Sequence, residues 1–245
     1  MTSRVIILGI PVDPVTLPEA CERIESMLAD DNQHHVLTPN PEMIVAAHTN
    51  TEFRSVLQTS SLNVADGYGL LLASRFLGSP LPERVSGIDL LTTLCEAIRV
   101  PVFFLGAAPG VAASAANALR QKNPALMIAG TYAGSASLSE ETEIISRINA
   151  SGARVLFVAY GAPMQDLWIA RNLERMPGIA VAMGVGGSFD FLAGVRTRAP
   201  RLMRTLGLEW LWRLVQEPRR IGRILTAVIH FPLLVLFHKS SPPLP

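Results

Sequence analysis

Cysteine is scarce in this 245-residue chain: Cys21 and Cys95 both lie in apolar, helix-like contexts, and neither a CxxC nor a Cys/His ligand spacing occurs. That excludes a disulfide framework and a cysteine-ligated metal, and the pair is expected as reduced, buried thiols. Charge is sparse as well, at 17% of residues against 49% hydrophobic ones with a mean hydropathy of +0.32, which excludes a disordered chain. A secretory leader is missing, since Arg4 precedes only Val5 to Ile10 before Pro11, so a cytosolic protein is expected. The apolar stretch Ile224–Phe237 has fourteen residues and contains His230 and Pro232, short of the roughly 20 that a bilayer span needs. The familiar cofactor and catalytic signatures are absent too. No G-x-G-x-x-G opens a helix after the first strand, and there is no phosphate-loop G-x-x-x-x-G-K-[ST], H-E-x-x-H or Ser/His/Asp order. Nor is there an Asp-x-Asp to hold a divalent ion against a diphosphate. Any diphosphate handled here is therefore met by arginines or helix N-termini, and neither a metal nor another cofactor is expected.

Charge is also unevenly placed. From Arg196 to Pro245 there are nine basic residues against Glu209 and Glu217, a balance of +7, whereas the whole chain is +1 and residues 1–195 are therefore −6. The same segment holds Trp210 and Trp212, two of the three tryptophans, and runs into Ile224–Phe237. A slightly acidic body (1–195) with a basic, aromatic, apolar-tipped appendage (196–245) implies an enzyme working peripherally on an anionic membrane surface, with no nucleic-acid partner. The alternative is a tail helix docked on the body or on a second copy in a homo-oligomer.

Strand and helix patterns alternate along the body. Arg4–Ile10, His35–Leu37, Leu62–Ala65, Val100–Gly106, Leu126–Tyr132, Arg154–Tyr160 and Ile179–Val185 read as strands. Thr16-Leu17-Pro18-Glu19 has capping-box spacing and opens a helix to about Asp30, and Ser137-Leu138-Ser139-Glu140 repeats the pattern. Further helices are expected over Pro41–Leu57, Tyr68–Phe76, Gly110–Lys122 and Gln165–Arg175, with Pro200 and Pro218 breaking the tail into short ones. Continuous apolar strands between such helices predict a Rossmann-like α/β fold, a mostly parallel sheet covered on both faces.

In such folds ligands collect at the carboxyl ends of the strands. There this chain presents Thr38-Pro39-Asn40-Pro41-Glu42, Asp66-Gly67, Gly106 before a helix N-terminus, Gly161-Ala162-Pro163-Met164-Gln165-Asp166, and Gly186-Gly187-Ser188-Phe189-Asp190. Taken singly, Thr38 and Asn40 also suit helix caps, Asp66-Gly67 an ordinary turn, and Gly106 or Gly186-Gly187 tight corners. Together five such ends predict a binding crevice. Arg213, Arg219, Arg220 and Arg223 are the candidates for phosphate oxygens.

These blocks resemble the TagA/WecG/CpsF glycosyltransferases, the N-acetylmannosaminyltransferase family of bacterial cell-surface polymer synthesis. The likeness runs from about Val36 to Arg223. It adds Glu83-Arg84-Val85-Ser86-Gly87-Ile88-Asp89-Leu90, Arg198-Ala199-Pro200, Gly207-Leu208-Glu209-Trp210 and Glu217-Pro218-Arg219-Arg220 to the strand ends above. It implies inverting transfer of a sugar from a UDP-sugar to a polyprenyl-diphosphate-linked sugar on the cytoplasmic membrane face. It further implies Asp66 as general base with Thr38 beside it, Asn40, Gln165 and Asp190 in the nucleotide-sugar pocket, and the C-terminal arginines closing over the diphosphate. Two positions depart from the family: Pro163-Met164-Gln165-Asp166 stands for Pro-Lys-Gln-Glu, and Gly134-Ser135-Ala136 for Gly-Tyr-Phe, so that the aromatic contact to the base is either missing or supplied by Tyr132. Both bear on which sugar is donated. The competing readings are a dinucleotide oxidoreductase, opposed by the missing glycine fingerprint, and a membrane-peripheral scaffold, opposed by the polar strand ends.

Overall fold

The computed structural model describes residues 3–239; the Pro-rich end of the appendage, residues 240–245, lies outside the described residues. Its strands are β1 (Val5–Ile7), β2 (Ile10–Val12), β3 (His34–Leu37), β4 (Leu62–Asn63), β5 (Val102–Gly106), β6 (Ile128–Tyr132), β7 (Val155–Ala159) and β8 (Val181–Gly184). The last six form one sheet in the order β4-β3-β8-β7-β5-β6, every neighbouring pair parallel. This is the mixed α/β architecture that the alternating pattern predicts. All five residues of β5 and of β7 are buried because helices cover both faces of the sheet. Alternate side chains supply two separate cores. Phe104 and Phe157 meet Phe189 on one face, with ring centroids 5.7 Å and 5.5 Å from Phe104. Leu105, Leu156 and Val158 pack with Trp168 and Ile169 on the other.

Several boundaries differ from expectation, each for a local reason. The strand expected over Arg4–Ile10 is a hairpin of β1 and β2 outside the main sheet, because Leu8 and Gly9 both adopt positive φ (51° and 80°), the conformation of a two-residue hairpin turn. The buried Asp13 carboxylate anchors it, accepting from Arg4 Nε at 3.1 Å, Arg23 Nη1 at 3.0 Å and the Asn63 amide at 2.8 Å. The single helix expected over Pro41–Leu57 is two, Pro41–Thr49 and Thr51–Thr59, since the Asn50 side chain accepts from the Phe53 amide and caps a new start. The box at Thr16 forms, but that at Ser137 does not. There the helix starts at Glu141, and Glu140, the carboxylate of the expected box, instead accepts from Ser135 Oγ at 2.8 Å.

The tail is more helical than its prolines imply. From Pro218 the chain stays helical through Phe237, 20 residues that are long and apolar enough to cross a membrane by length and composition. Pro232 lacks an N–H and its ring crowds the preceding turn; the π-turn over Thr226–His230 absorbs that mismatch without ending the helix. Ile224, Phe231 and Val235 are buried, the last two within the core formed by the hairpin and the helices Pro41–Thr49 and Tyr68–Phe76. Leu225, Val228, Ile229, Leu233 and Leu236 are exposed. The tail helix is thus docked on the body along one stripe and apolar on the open side as well.

Gly106 ends β5 at φ +105°, and a Cβ there would lie 2.8 Å from the Ala159 carbonyl carbon of β7. Gly106→Ala is expected to lower unfolding free energy by about 2 kcal/mol or more, through both the disfavoured backbone and the clash. Urea denaturation of the variant beside the parent protein measures this, and equal midpoints would contradict it.

Candidate active site

The carboxyl ends of β3, β4, β7 and β8 face the tail across a cleft, at the point where the sheet order turns from β3 to β8. Asp66 follows β4, its amide donating to the Pro39 carbonyl at 2.8 Å, so the two strand-end loops are stitched together. Its carboxylate accepts from Arg84 Nε at 3.2 Å and from the Gly87 amide, the first residue of the helix Gly87–Ala97, at 3.3 Å. Thr38, at the end of β3, is buried against Gly87. Asn40 performs the capping role its type suggests, accepting from the Met43 amide at 3.0 Å, and lines the cleft as well. Gln165 ties two loops together: its side-chain oxygen accepts from the Gly161 amide after β7 at 3.1 Å and the Gly186 amide after β8 at 2.9 Å. Gly186 and Gly187 border the same cleft.

From the tail, Arg213, Arg220 and Arg223 close the cleft. Each is oriented by a carboxylate: Arg213 by Glu209 at 2.8 Å, Arg220 by Glu217, and Arg223 by Glu42 of the body at 2.6 Å. Three sequence-derived candidates lie elsewhere. Arg219 projects from the turn Pro218–Arg220 into solvent, and Gly106 lies on β5, beyond β7 from the crossover. Asp190 pairs with Arg196 at 3.4 Å beside the cleft rather than lining it.

The cleft has two compartments. A polar cavity of about 170 Å³ is bordered by Thr38, Ser86, Gly87, Gln165, Gly186, Gly187 and Ser188. A cavity of about 290 Å³ with mainly apolar walls lies between Tyr68, Leu72, Trp210, Ile224, Ala227 and Val228. Asp66, Asn40, Arg84, Glu209 and the three cleft arginines border both, so the compartments meet at Asp66. Among the described residues no three His, Cys, Asp or Glu side chains converge as a metal-holding group.

Arg84 and Glu209 also line the cleft, and residue-type reasoning passed over both. Burial works against the Arg84 charge, but the Asp66 and Glu209 carboxylates outweigh it and hold the proton more tightly than usual. Burial likewise works against ionised Glu209, yet Arg213 and Arg84 keep its carboxyl below the ordinary range. The only signals were their places in the Glu83–Leu90 and Gly207–Trp210 blocks, and neither block shows that the two residues, 125 positions apart, are partners.

A model of the glycosyltransferase WecG/TagA/CpsF family matches residues 5–243. The chain belongs to that family. It is 34% identical over 228 residues to the N-acetylglucosaminyldiphosphoundecaprenol N-acetyl-beta-D-mannosaminyltransferase of Staphylococcus aureus strain MW2, covering 91% of this chain and 89% of that protein. The counterparts in strains NCTC 8325 and MRSA252 match with the same identity and coverage. For a WecG/TagA/CpsF glycosyltransferase, a carboxylate at the junction of a polar and an apolar compartment is the notable feature of the cleft.

Behind Gln165, the next residue of this glycosyltransferase is wholly buried. Asp166 faces His35 at 3.9 Å, and neither Asp166 oxygen nor His35 Nε2 has a hydrogen-bond partner. Burial pushes the Asp166 carboxyl up to about 7 and the His35 imidazole down to about 3. Folded Asp166 keeps a proton that the unfolded chain releases near 3.8, so its contribution to stability falls as pH rises from about 4 to about 7 and is level above that. Asp166→Asn removes this term while leaving that of His35. The variant is expected to gain on the parent protein by a few kcal/mol between pH 4.5 and 7.5 in urea denaturation, whereas a constant difference would contradict the assignment.

Proposed function

We propose that this glycosyltransferase moves N-acetylmannosamine from a UDP-sugar to a polyprenyl-diphosphate-linked sugar, with inversion at the anomeric carbon, for a cell-surface polymer. The observation carrying this reading is Asp66 at the junction of the two compartments. The polar one suits a nucleotide-sugar, with backbone and hydroxyl groups of Thr38, Gly186, Gly187 and Ser188 around it. The apolar one suits a lipid-linked acceptor, the substrate class for which the Staphylococcus aureus relatives are named.

In the proposed reaction the acceptor hydroxyl gives its proton to the Asp66 carboxylate as its oxygen bonds to the anomeric carbon. The bond from that carbon to the UDP oxygen breaks on the opposite face, and UDP leaves with the electron pair. Such base assistance contributes on the order of 10²–10⁴-fold. Arg213, Arg220 and Arg223, already held by carboxylates, answer the charge that grows on the diphosphate, so the proposal needs no metal. All these groups come from one chain. Residues 1–195 act as the catalytic body and 196–245 as an appendage, of which the described part roofs the cleft with Arg213, Arg220 and Arg223. The open apolar side of Pro218–Phe237, which shares the apolar compartment with exposed Leu72 and carries exposed Arg219 at its start, favours peripheral binding at the cytoplasmic membrane face.

Incubation with a panel of UDP-sugars and a short-chain prenyl-diphosphate-linked N-acetylglucosamine, read by product mass, tests the reaction. In that assay Asp66→Asn is expected to lose at least about 10²-fold in turnover while calorimetry still finds UDP binding. Near-parental turnover would overturn the base assignment. Arg220→Ala is expected to lose about 10²–10³-fold, the scale of one removed transition-state donor, and Arg219→Ala to stay within about threefold. Equal losses at the two positions would remove the cleft arginines from the mechanism.

A further inference from the structure

Glu209 is 8% exposed and lies on the tail helix Glu209–Gln216, yet it is joined to the base through a single side chain. Its Oε2 accepts from Arg84 Nη2 at 2.8 Å and its Oε1 from Arg213 Nη2 at 2.8 Å. Arg84 then offers only Nε to Asp66, at 3.2 Å to Oδ1. Tyr68 supports this arrangement: the Arg84 guanidinium lies over its ring at 5.7 Å, and its hydroxyl donates to the Thr205 carbonyl of the tail at 3.0 Å.

The chemistry of guanidinium explains why the division matters. Nε–H and one Nη–H form a fork that fits the two oxygens of a carboxylate in parallel. An Arg84 with both donors free closes that fork on Asp66 and occupies the lone pairs that a base must offer its substrate. By holding Nη2 at 2.8 Å, Glu209 orients the guanidinium so that Arg84 makes only the Nε bond to Asp66, and the Gly87 amide reaches the other oxygen at 3.3 Å. Resting on the function proposed above, we infer that Glu209 is a positioning residue that keeps Arg84 from capturing Asp66, so that the base is free to work only when the tail is seated. The same carboxylate steadies Arg213, linking the acceptor side of the cleft to the diphosphate side.

The test is a double-mutant cycle on the full chain, with kcat and UDP affinity measured separately. Glu209→Gln is expected to lower kcat by about 10–100-fold while the Kd for UDP changes by less than about threefold. Lysine has no fork, so in an Arg84→Lys background the same Glu209→Gln change is expected to cost less than about threefold. A kcat within twofold of the parent, a loss expressed only as weaker UDP binding, or equal losses in both backgrounds would each overturn the inference. Should Glu209→Gln alone fail to fold, the comparison of Arg84→Lys with Arg84→Lys/Glu209→Gln still decides: a further loss above about tenfold overturns it. If Asp66→Asn keeps turnover, the reading of Asp66 as base fails. If Asp66→Asn is inactive and Glu209→Gln is not impaired, only the role of Glu209 fails.

Discussion

A guanidinium removed from water needs carboxylates on both sides, and Arg84 finds one in the body and one in the tail. Much of the cleft depends on that requirement. Asp66 is brought to Arg84 by the short strand β4 and by the stitch from its amide to Pro39. Glu209 is brought there by a helix that begins 14 residues after the body ends. The charge on Arg84 is thus satisfied only when both parts of the chain are in place, and the cleft between them exists only in that state. Removal of one partner from such a buried pair costs far more than the pair itself adds, which makes it a device for alignment rather than for stability.

The opposite charges of body and tail act in the same sense. Arg198 forks onto Asp89 with both contacts at 2.6 Å, Arg223 meets Glu42, and Arg196 meets Asp190. Partly exposed pairs of this kind add little stability each. The holding force comes from apolar burial, with Phe231 and Val235 inserted into the core of the hairpin and the two flanking helices. The ion pairs decide where along that contact the tail sits, and so which arginines reach the cleft. Arg213, Arg220 and Arg223 do; Arg219, one residue from Arg220, does not.

Pro232 links the apolar part of the tail to the same geometry. A proline in mid-helix normally kinks or ends it, but the π-turn over Thr226–His230 lets the helical run continue. Val228 and Ala227 in that turn border the apolar compartment, while Leu225 and Ile229 remain open to the outside. The proposed lipid-linked acceptor therefore meets apolar surface both on the outer side of the tail and inside the compartment that Asp66 borders.

Much of this was legible in the residue order, and the rest was not, for identifiable reasons. Period and capping are local properties, so the apolar runs of β5 and β7, the Thr16 box and the helix Tyr68–Phe76 could be read directly. So could the strand-end positions of Thr38, Asn40, Asp66, Gln165, Gly186 and Gly187, because parallel sheets present their carboxyl ends together. Charge summed along the chain set the basic segment from Arg196 apart from the rest. What only the tertiary structure decided were contacts between distant segments. The hairpin at Leu8-Gly9 left the sheet, and the buried Glu141 found Arg171 and Asn172, 30 and 31 positions away. Gly106 sits on a strand outside the cleft, and Glu209 meets Arg84 from 125 positions away. A residue type and its neighbours state what a side chain is able to do; the partner it finds depends on burial and packing, which a linear pattern does not contain.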